Sequence, residues 1–215
     1  MAQLDEIITG IYRISSLVDP PGITFNQFVI KDEKNVLVHT GSAALFPATL
    51  EKIQQVINLS SLAYVFISHF EVDECGALPD LLKLNKNVIP VGSMATTRLI
   101  TGLGLHSQPL TVKEGDELNI GSRRLTFIAY PSEVHLQDGL IAYSATDKVL
   151  FSSDLFTKRG AGAAASIKGE RSLLNEIPAQ SILAEERRLK CQEAVGKLDI
   201  ALIATGHGPT IDLRP

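Results

Sequence analysis

Residues 67–78 read ISHFEVDECGAL, and four side chains able to bind a cation fall within six positions of this stretch: His69, Glu71, Asp73 and Glu74. The stretch closes an apolar run, LAYVFIS (62–68), of the kind found in strands buried on both faces. His69 is therefore delivered to the C-terminal end of a strand. Taken singly, His69 reads as a strand-end histidine, and Asp73 and Glu74 read as acidic groups at a helix start, where they cap free N–H groups and complement the dipole. Taken together, three carboxylates at this density repel one another unless cations neutralise them, and two divalent ions would do so. In an extended segment alternate side chains share a face. His69, Glu71 and Asp73 are thus expected to point one way, with Phe70 and Val72 turned to the core. Glu74 follows where the chain enters a helix over ALPDLLKLN (77–85).

Working outward, other apolar runs stop at comparable groups. VLFSS leads to Asp154, ALIATG leads to His207, and LTFIAYPSEV leads to His135. Ends of buried strands along one sheet edge converge, and sites are commonly built from the loops there. The order predicts that His69, Glu71, Asp73, His135, Asp154 and His207 meet in one cleft, with Glu74 adjoining. His106 reads as an exposed loop residue. Cys75 and Cys191 read as packing residues; they lie far apart, without the spacing of a disulfide framework or a thiolate site.

The remaining chain alternates strands and helices. Strands are expected at 10–15, 24–31, 36–40, 87–92 and 200–205, and a run of antiparallel strands between 116 and 154. Helices are expected at 46–59, 94–103 and 181–198, the last with Ile182, Leu189, Ala194 and Val195 facing inward. The Gly- and Ala-rich segment 157–170 reads as a mobile loop or a loose helix start. The elements fall into two halves about residue 110, which suggests one domain of two packed sheets flanked by helices. With hydrophobic residues at 45% the chain has ample core material, and a net charge of −4 argues against a nucleic-acid surface. No signal segment and no run of the ~18 apolar residues a membrane span requires is present, so the cytoplasm is the default location.

In this context SHFEVDECG resembles the H-x-E-x-D-x-x-G signature of flavodiiron-type members of the metallo-β-lactamase superfamily. The likeness extends to GITFNQFVIKDEKNVLVHTG (22–41), to residues 114–156 with a histidine and then an aspartate in order, and to TGHGPT (205–210). The resemblance implies an α/β fold, a four-layer αββα sandwich, holding two iron ions. Carried over by position, one iron takes His69, Glu71 and His135, the second takes Asp73 and His207, and Asp154 bridges both. Glu74 stands where the family usually has a histidine, which leaves two readings open: Glu74 ligates the second iron, or that position is weak. His39 stands where the superfamily often has an aspartate and is read as a core or supporting residue. An oxygen-rich donor set suits iron or manganese better than zinc, although affinity order does not exclude zinc.

The resemblance also implies binding, and reduction, of dioxygen or nitric oxide. Flavodiiron reductases usually append a flavodoxin-like domain, for which residues 1–215 leave no room. An external flavodoxin- or rubredoxin-like donor, or a role as oxygen sensor, is then expected, with a homodimer implied by analogy. The alternatives are a metal-dependent thioester or lactam hydrolase, against which Glu71 argues, and a scaffold whose site has decayed.

Overall fold

The computed structural model describes residues 2–18, 22–158 and 165–214. Two seven-stranded sheets divide the chain where the sequence suggests, near residue 110. The first contains β1 (Ala2–Ile8), β2 (Ile11–Val18), β3 (Ile23–Ile30), β4 (Asn35–Val38), β5 (Leu62–Phe66), β6 (Ile89–Gly92) and β7 (Leu110–Thr111), in that spatial order. The second contains β8 (Glu117–Asn119), β9 (Arg124–Tyr130), β10 (Gly139–Ser144), β11 (Val149–Ser153), β12 (Ser166–Lys168), β13 (Leu202–Thr205) and β14 (Thr210–Asp212), in the order β12-β14-β13-β11-β10-β9-β8. The helices are α1 (Phe46–Val56), α2 (Val72–Cys75), α3 (Leu78–Leu84), α4 (Met94–Gly102) and α5 (Glu185–Gly196).

Period-two alternation sorts the apolar residues into three layers. Phe28, Ile30, Val36 and Val38 of the first sheet meet Phe127, Leu140, Ala142, Phe151 and Ala204 of the second in the central core. Their neighbours Val29 and Leu37 face outward and pack with Phe46 and Ile53 of α1 and with Leu78 and Leu81 of α3. On the far side Ile128, Ile141, Tyr143 and Ile203 pack against Cys191 and Val195 of α5. The result is the expected αββα sandwich, each sheet covered on one face by its partner and on the other by helices.

Local chemistry sets the helix starts. Pro47 occupies the first turn of α1, where its missing N–H is no loss. Ser93 caps α4 by accepting a hydrogen bond from the Thr96 amide at 3.3 Å. Arg123 fastens the sheet ends opposite the strand termini described below, donating to Asp147 Oδ2 at 2.9 Å and to the Thr9 carbonyl at 2.8 Å.

Several boundaries differ from the expectations. β1, the short edge strands β7 and β12, and the short strand β14 beside β12 differ from the expectations, because their mixed composition carries no clean alternation. Residues 159–164 of the expected mobile segment lie outside the described residues, but Ser166–Lys168 within it pairs with β14 as a strand. The helix expected at 181–198 begins at Glu185. Ile182 is buried ahead of it, and Leu189, expected inward, is 48% exposed.

Candidate metal centre

Five strands of the two sheets end at one edge and hand their following residues to a common cleft. β4 is followed by His39, β5 leads through Ser68 to His69, β9 leads to the loop holding His135, β11 is followed by Asp154, and β13 leads through Gly206 to His207. Backbone bonds fix these ends. The His39 amide donates to the Phe66 carbonyl at 2.9 Å, Leu140 to Ser68 at 2.9 Å and Gly206 to Ser153 at 2.7 Å. Asn26 Nδ2 donates to the carbonyls of Thr205 at 2.8 Å and Gly208 at 2.7 Å, tying the first sheet to the loop carrying His207. Gly208 has φ +85°, and a Cβ there would strike the Lys158 carbonyl, so the His–Gly–Pro turn needs glycine.

All seven residues singled out in the sequence meet here. His135 lies between two carboxylates, with Nδ1 3.1 Å from Glu71 Oε1 and Nε2 3.1 Å from Asp154 Oδ2. His69 Nε2 is 3.4 Å from Glu74 Oε2, 3.7 Å from Asp154 Oδ2 and 3.9 Å from Glu71 Oε2. On the other side His207 Nε2 is 3.3 Å from Asp73 Oδ2, 3.3 Å from Asp154 Oδ1 and 4.0 Å from Glu74 Oε1. Ligand atoms that share a cation at about 2.0–2.2 Å stand roughly 3–4 Å apart, so these separations suit two adjoining cation positions.

The route by which the first cluster reaches the cleft differs from the expected alternation. Glu71 is extended, but Val72–Cys75 form a single helical turn of their own, ahead of α3. Val72, expected in the core, is 73% exposed, while Phe70 is partly buried under the outer helices. The turn swings Asp73 and Glu74 in together. Their neighbour Cys75 is buried, its Sγ–H donates to the Glu71 carbonyl at 3.1 Å, and burial pushes the thiol up to about 12. It is a packing residue, as expected, and not a thiolate.

A supporting layer escaped the sequence reading because serine and backbone carbonyls carry no signature. His69 Nδ1 lies 3.0 Å from Ser68 Oγ, which lies 2.8 Å from His39 Nε2 and 2.8 Å from Ser153 Oγ. His39 is thus two hydrogen bonds behind His69, through Ser68 Oγ. His207 Nδ1 donates to the Thr24 carbonyl at 3.2 Å, which turns Nε2 toward Asp73 and Asp154. The Phe25 ring meets His207 edge-on at 5.1 Å. Of six described non-glycine residues with positive φ, three (His39, Ser153 and Phe156) lie at or behind this cleft and two more (Leu136 and Gln137) directly follow His135 in the chain, so backbone strain is concentrated near the candidate ligands. Ser68→Ala is expected to leave the fold intact and weaken metal binding about 10-fold or more, since supporting partners of ligating histidines contribute about 10–100-fold. A competitive chelator titration checks this; unchanged affinity would remove Ser68 from the site.

The electrostatics show what the arrangement requires. Burial drives His69 down to about 3 and His39 down to about 4, so both rings are neutral at pH 7. Burial opposes charge on His207 as well, but the neighbouring carboxylates of Asp154 and Asp73 lift it to about 9. Burial and the charges of Asp154 and Asp73 hold Glu74 far above the usual carboxylate range. His69 Nε2, Glu74 Oε2 and Asp154 Oδ1 are all buried without a hydrogen-bond partner. Orphaned buried acceptors are destabilising, and here three of them face one space. The donor set of four carboxylates and three imidazoles fits divalent cations. The His69–His135–Glu71 trio in particular has the two-histidine, one-carboxylate composition suited to non-haem iron.

A cleft of ≈ 730 Å³ opens onto the cluster, lined by Ile23, Phe25, Tyr130, Val134 and Phe156 beside the polar groups. A second cavity of ≈ 570 Å³, between α4 and α5, contains none of the seven residues.

Two sheets packed face to face between helices, with histidines and carboxylates gathered where their strands end, define a fold of metallo-β-lactamase type carrying a candidate metal site. The chain belongs to the ODP beta-lactamase family, whose model matches residues 23–208, and it is a flavodiiron-type member of the superfamily. It is 31% identical over 198 residues to an uncharacterized protein of Methanocaldococcus jannaschii, covering 88% of this chain and 49% of that protein. It is 29% identical to the anaerobic nitric oxide reductase flavorubredoxin of Enterobacter sp., covering 87% of this chain and 41% of that protein. It is 30% identical to the rubredoxin-oxygen oxidoreductase of Megalodesulfovibrio gigas, covering 72% and 41%. Among solved structures it superposes on the Flv1 flavodiiron core from Synechocystis sp. with a TM-score of 0.83 at 20% identity, covering 98% of this chain and 57% of that one. The chain spans less than half the length of the curated relatives named here. No helix among the described residues is long and apolar enough to cross a membrane.

Proposed function

We propose that this chain holds a pair of iron ions and takes part in the binding and reduction of dioxygen or nitric oxide. The observation that carries the reading is the convergence of unpartnered, buried His69 Nε2, Glu74 Oε2 and Asp154 Oδ1 in the middle of seven potential ligands. In this reading His69, Glu71 and His135 hold one ion, Asp73 and His207 hold the other, and Asp154 lies between them. Iron supplies open coordination and reducing electrons for a small diatomic. The chain's own residues do the rest. Ser68 and Thr24 orient the rings of His69 and His207. Phe25, Phe156 and Ile23 give the cleft apolar walls that limit water. Burial pushes the Tyr130 phenol up, so it keeps its proton at the cleft wall. The names of the flavorubredoxin and rubredoxin-oxygen oxidoreductase relatives support nitric oxide and dioxygen as the diatomics and a flavin- or rubredoxin-type electron donor.

The test is metal analysis of protein made anaerobically with excess iron, read beside its visible spectrum before and after exposure to oxygen. Two irons per chain and a spectral change are expected. His135→Ala is expected to lower the iron content without lowering the urea midpoint of the chelated protein; unaltered iron in that variant refutes the ligand assignment. Zinc with thioester turnover would instead establish the hydrolase. Binding of the diatomic without turnover in the presence of a reduced donor would assign a sensor.

A further inference from the structure

The four carboxylates of the cluster do not face it in the same way. Of the three histidines, Asp73 pairs with His207 alone, and Glu71, with its side chain 39% exposed at the rim, pairs with His69 and His135. Asp154 faces both sides, with Oδ2 3.1 Å from His135 Nε2 and Oδ1 3.3 Å from His207 Nε2. Glu74 does the same from the opposite sheet: Oε2 lies 3.4 Å from His69 Nε2 and Oε1 lies 4.0 Å from His207 Nε2. Its residue is 1% exposed, its Oε2 has no hydrogen-bond donor, and no lysine or arginine among the described residues pairs with it. Its backbone is pinned, since the Thr40 amide donates to the Glu74 carbonyl at 2.7 Å and Thr40 Oγ1 reaches the same oxygen at 3.3 Å. The side chain is therefore held between the two positions rather than beside either.

We propose that Glu74 is a second bridging carboxylate, spanning both cation positions opposite Asp154. The inference rests on the two-cation reading above and specifies how this chain completes it. A terminal ligand uses one oxygen on one ion, whereas Glu74 turns one oxygen toward each side of the cluster, and its Oε2 is buried without a hydrogen-bond partner. Charge follows from the same assignment. Four carboxylates balance two divalent ions, so the cluster is neutral in its divalent state. A neutral imidazole in place of Glu74 leaves it one unit positive. Glu74 thus favours the more oxidised pair and couples the two ions through a second O–C–O path.

The experiment uses the full chain loaded anaerobically with ferrous iron, as wild type, Glu74→His and Glu74→Gln. Iron per chain, the magnetic exchange coupling from Mössbauer spectra, and the midpoint potentials are measured. Wild type is expected to hold two coupled irons. Glu74→His is expected to retain two irons, with altered exchange coupling and raised midpoint potentials, because it supplies a donor to one ion only. Glu74→Gln, which keeps the length but loses the anion, is expected to lose at least half of its iron. Glu74→His with two irons and the wild-type coupling and potentials would overturn the bridge while leaving the two-iron reading standing. Wild-type protein holding fewer than two irons at saturation would overturn both.

Discussion

Asp154→Ala is expected to reduce the metal content from two ions per chain to near zero, with affinity falling at both positions by more than about 100-fold. Outer partners of metal ligands alone contribute about 10–100-fold, and Asp154 is placed to act on both positions directly. Its Oδ2 faces His135 and His69 and its Oδ1 faces His207, the latter oxygen buried and unpartnered. In the metal-free chain Asp154 is held far below the usual carboxylate range: burial opposes its charge, but the His135 and His207 rings beside it outweigh that. It is therefore already an anion and needs no deprotonation before ligating. Removing it deletes the one group whose negative charge is shared by the His135 and His207 rings, and it leaves Glu74 to hold the pair together alone. Asp154→Asn preserves the shape and one donor oxygen and is expected to retain more metal than Asp154→Ala. Metal analysis after dialysis against a weak chelator reads the result. Two irons retained in Asp154→Ala would show that the positions are not where the geometry puts them.

The convergence of the candidate ligands was legible because the signal was redundant. Each apolar run is long enough to be a strand, and each is followed within a few residues by His69, Asp154 or His207, so their shared edge follows from sheet geometry alone. The orientation of the first cluster was not legible. Period-two alternation put Val72 in the core, whereas a four-residue helix turns it to solvent and brings Asp73 and Glu74 in together. A turn that short has too few residues to show its own period. The error on α5 has a similar cause. Ile182 is buried but precedes the helix, so it cannot set the phase of the wheel. Cys191 and Val195 are buried one turn apart, and Leu189, displaced by about 200° from Cys191, faces outward. The Ser68–Ser153–His39 layer was invisible for another reason. It joins residues from three strand ends, and hydroxyls adjacent only in space leave no spacing in the chain.

Phe151→Ala is expected to lower the unfolding free energy by about 3–5 kcal/mol, the usual cost of removing a buried phenylalanine, and to do so from a domain whose total is typically about 5–15 kcal/mol. Phe151 lies on β11, inside the second sheet, and is 2% exposed between the two sheets. Its ring meets Phe28 of the first sheet at 5.6 Å and 67°, an edge-on contact worth about 0.5–1.5 kcal/mol beyond burial. The backbone cannot collapse onto the space without breaking the pairing of β11 with β10 and β13 on either side. Leu189→Ala on the exposed face of α5 is the matched control and is expected to change stability by no more than about 0.5 kcal/mol. Urea unfolding should be measured with chelator present, because bound metal adds about 2.7 kcal/mol at 100 times its dissociation constant and would mask the loss. The urea dependence should be unchanged if only the native state is affected. The same titration with metal then gives a second number. β11 hands the chain through Ser153, at φ 51°, directly to Asp154. If the core holds that strand end in place, the Phe151→Ala deficit must be larger with metal than without it. Equal deficits would mean that the site keeps its shape independently of the core beneath it, and a deficit under about 0.5 kcal/mol in chelator would mean that the two sheets do not meet at Phe151 at all.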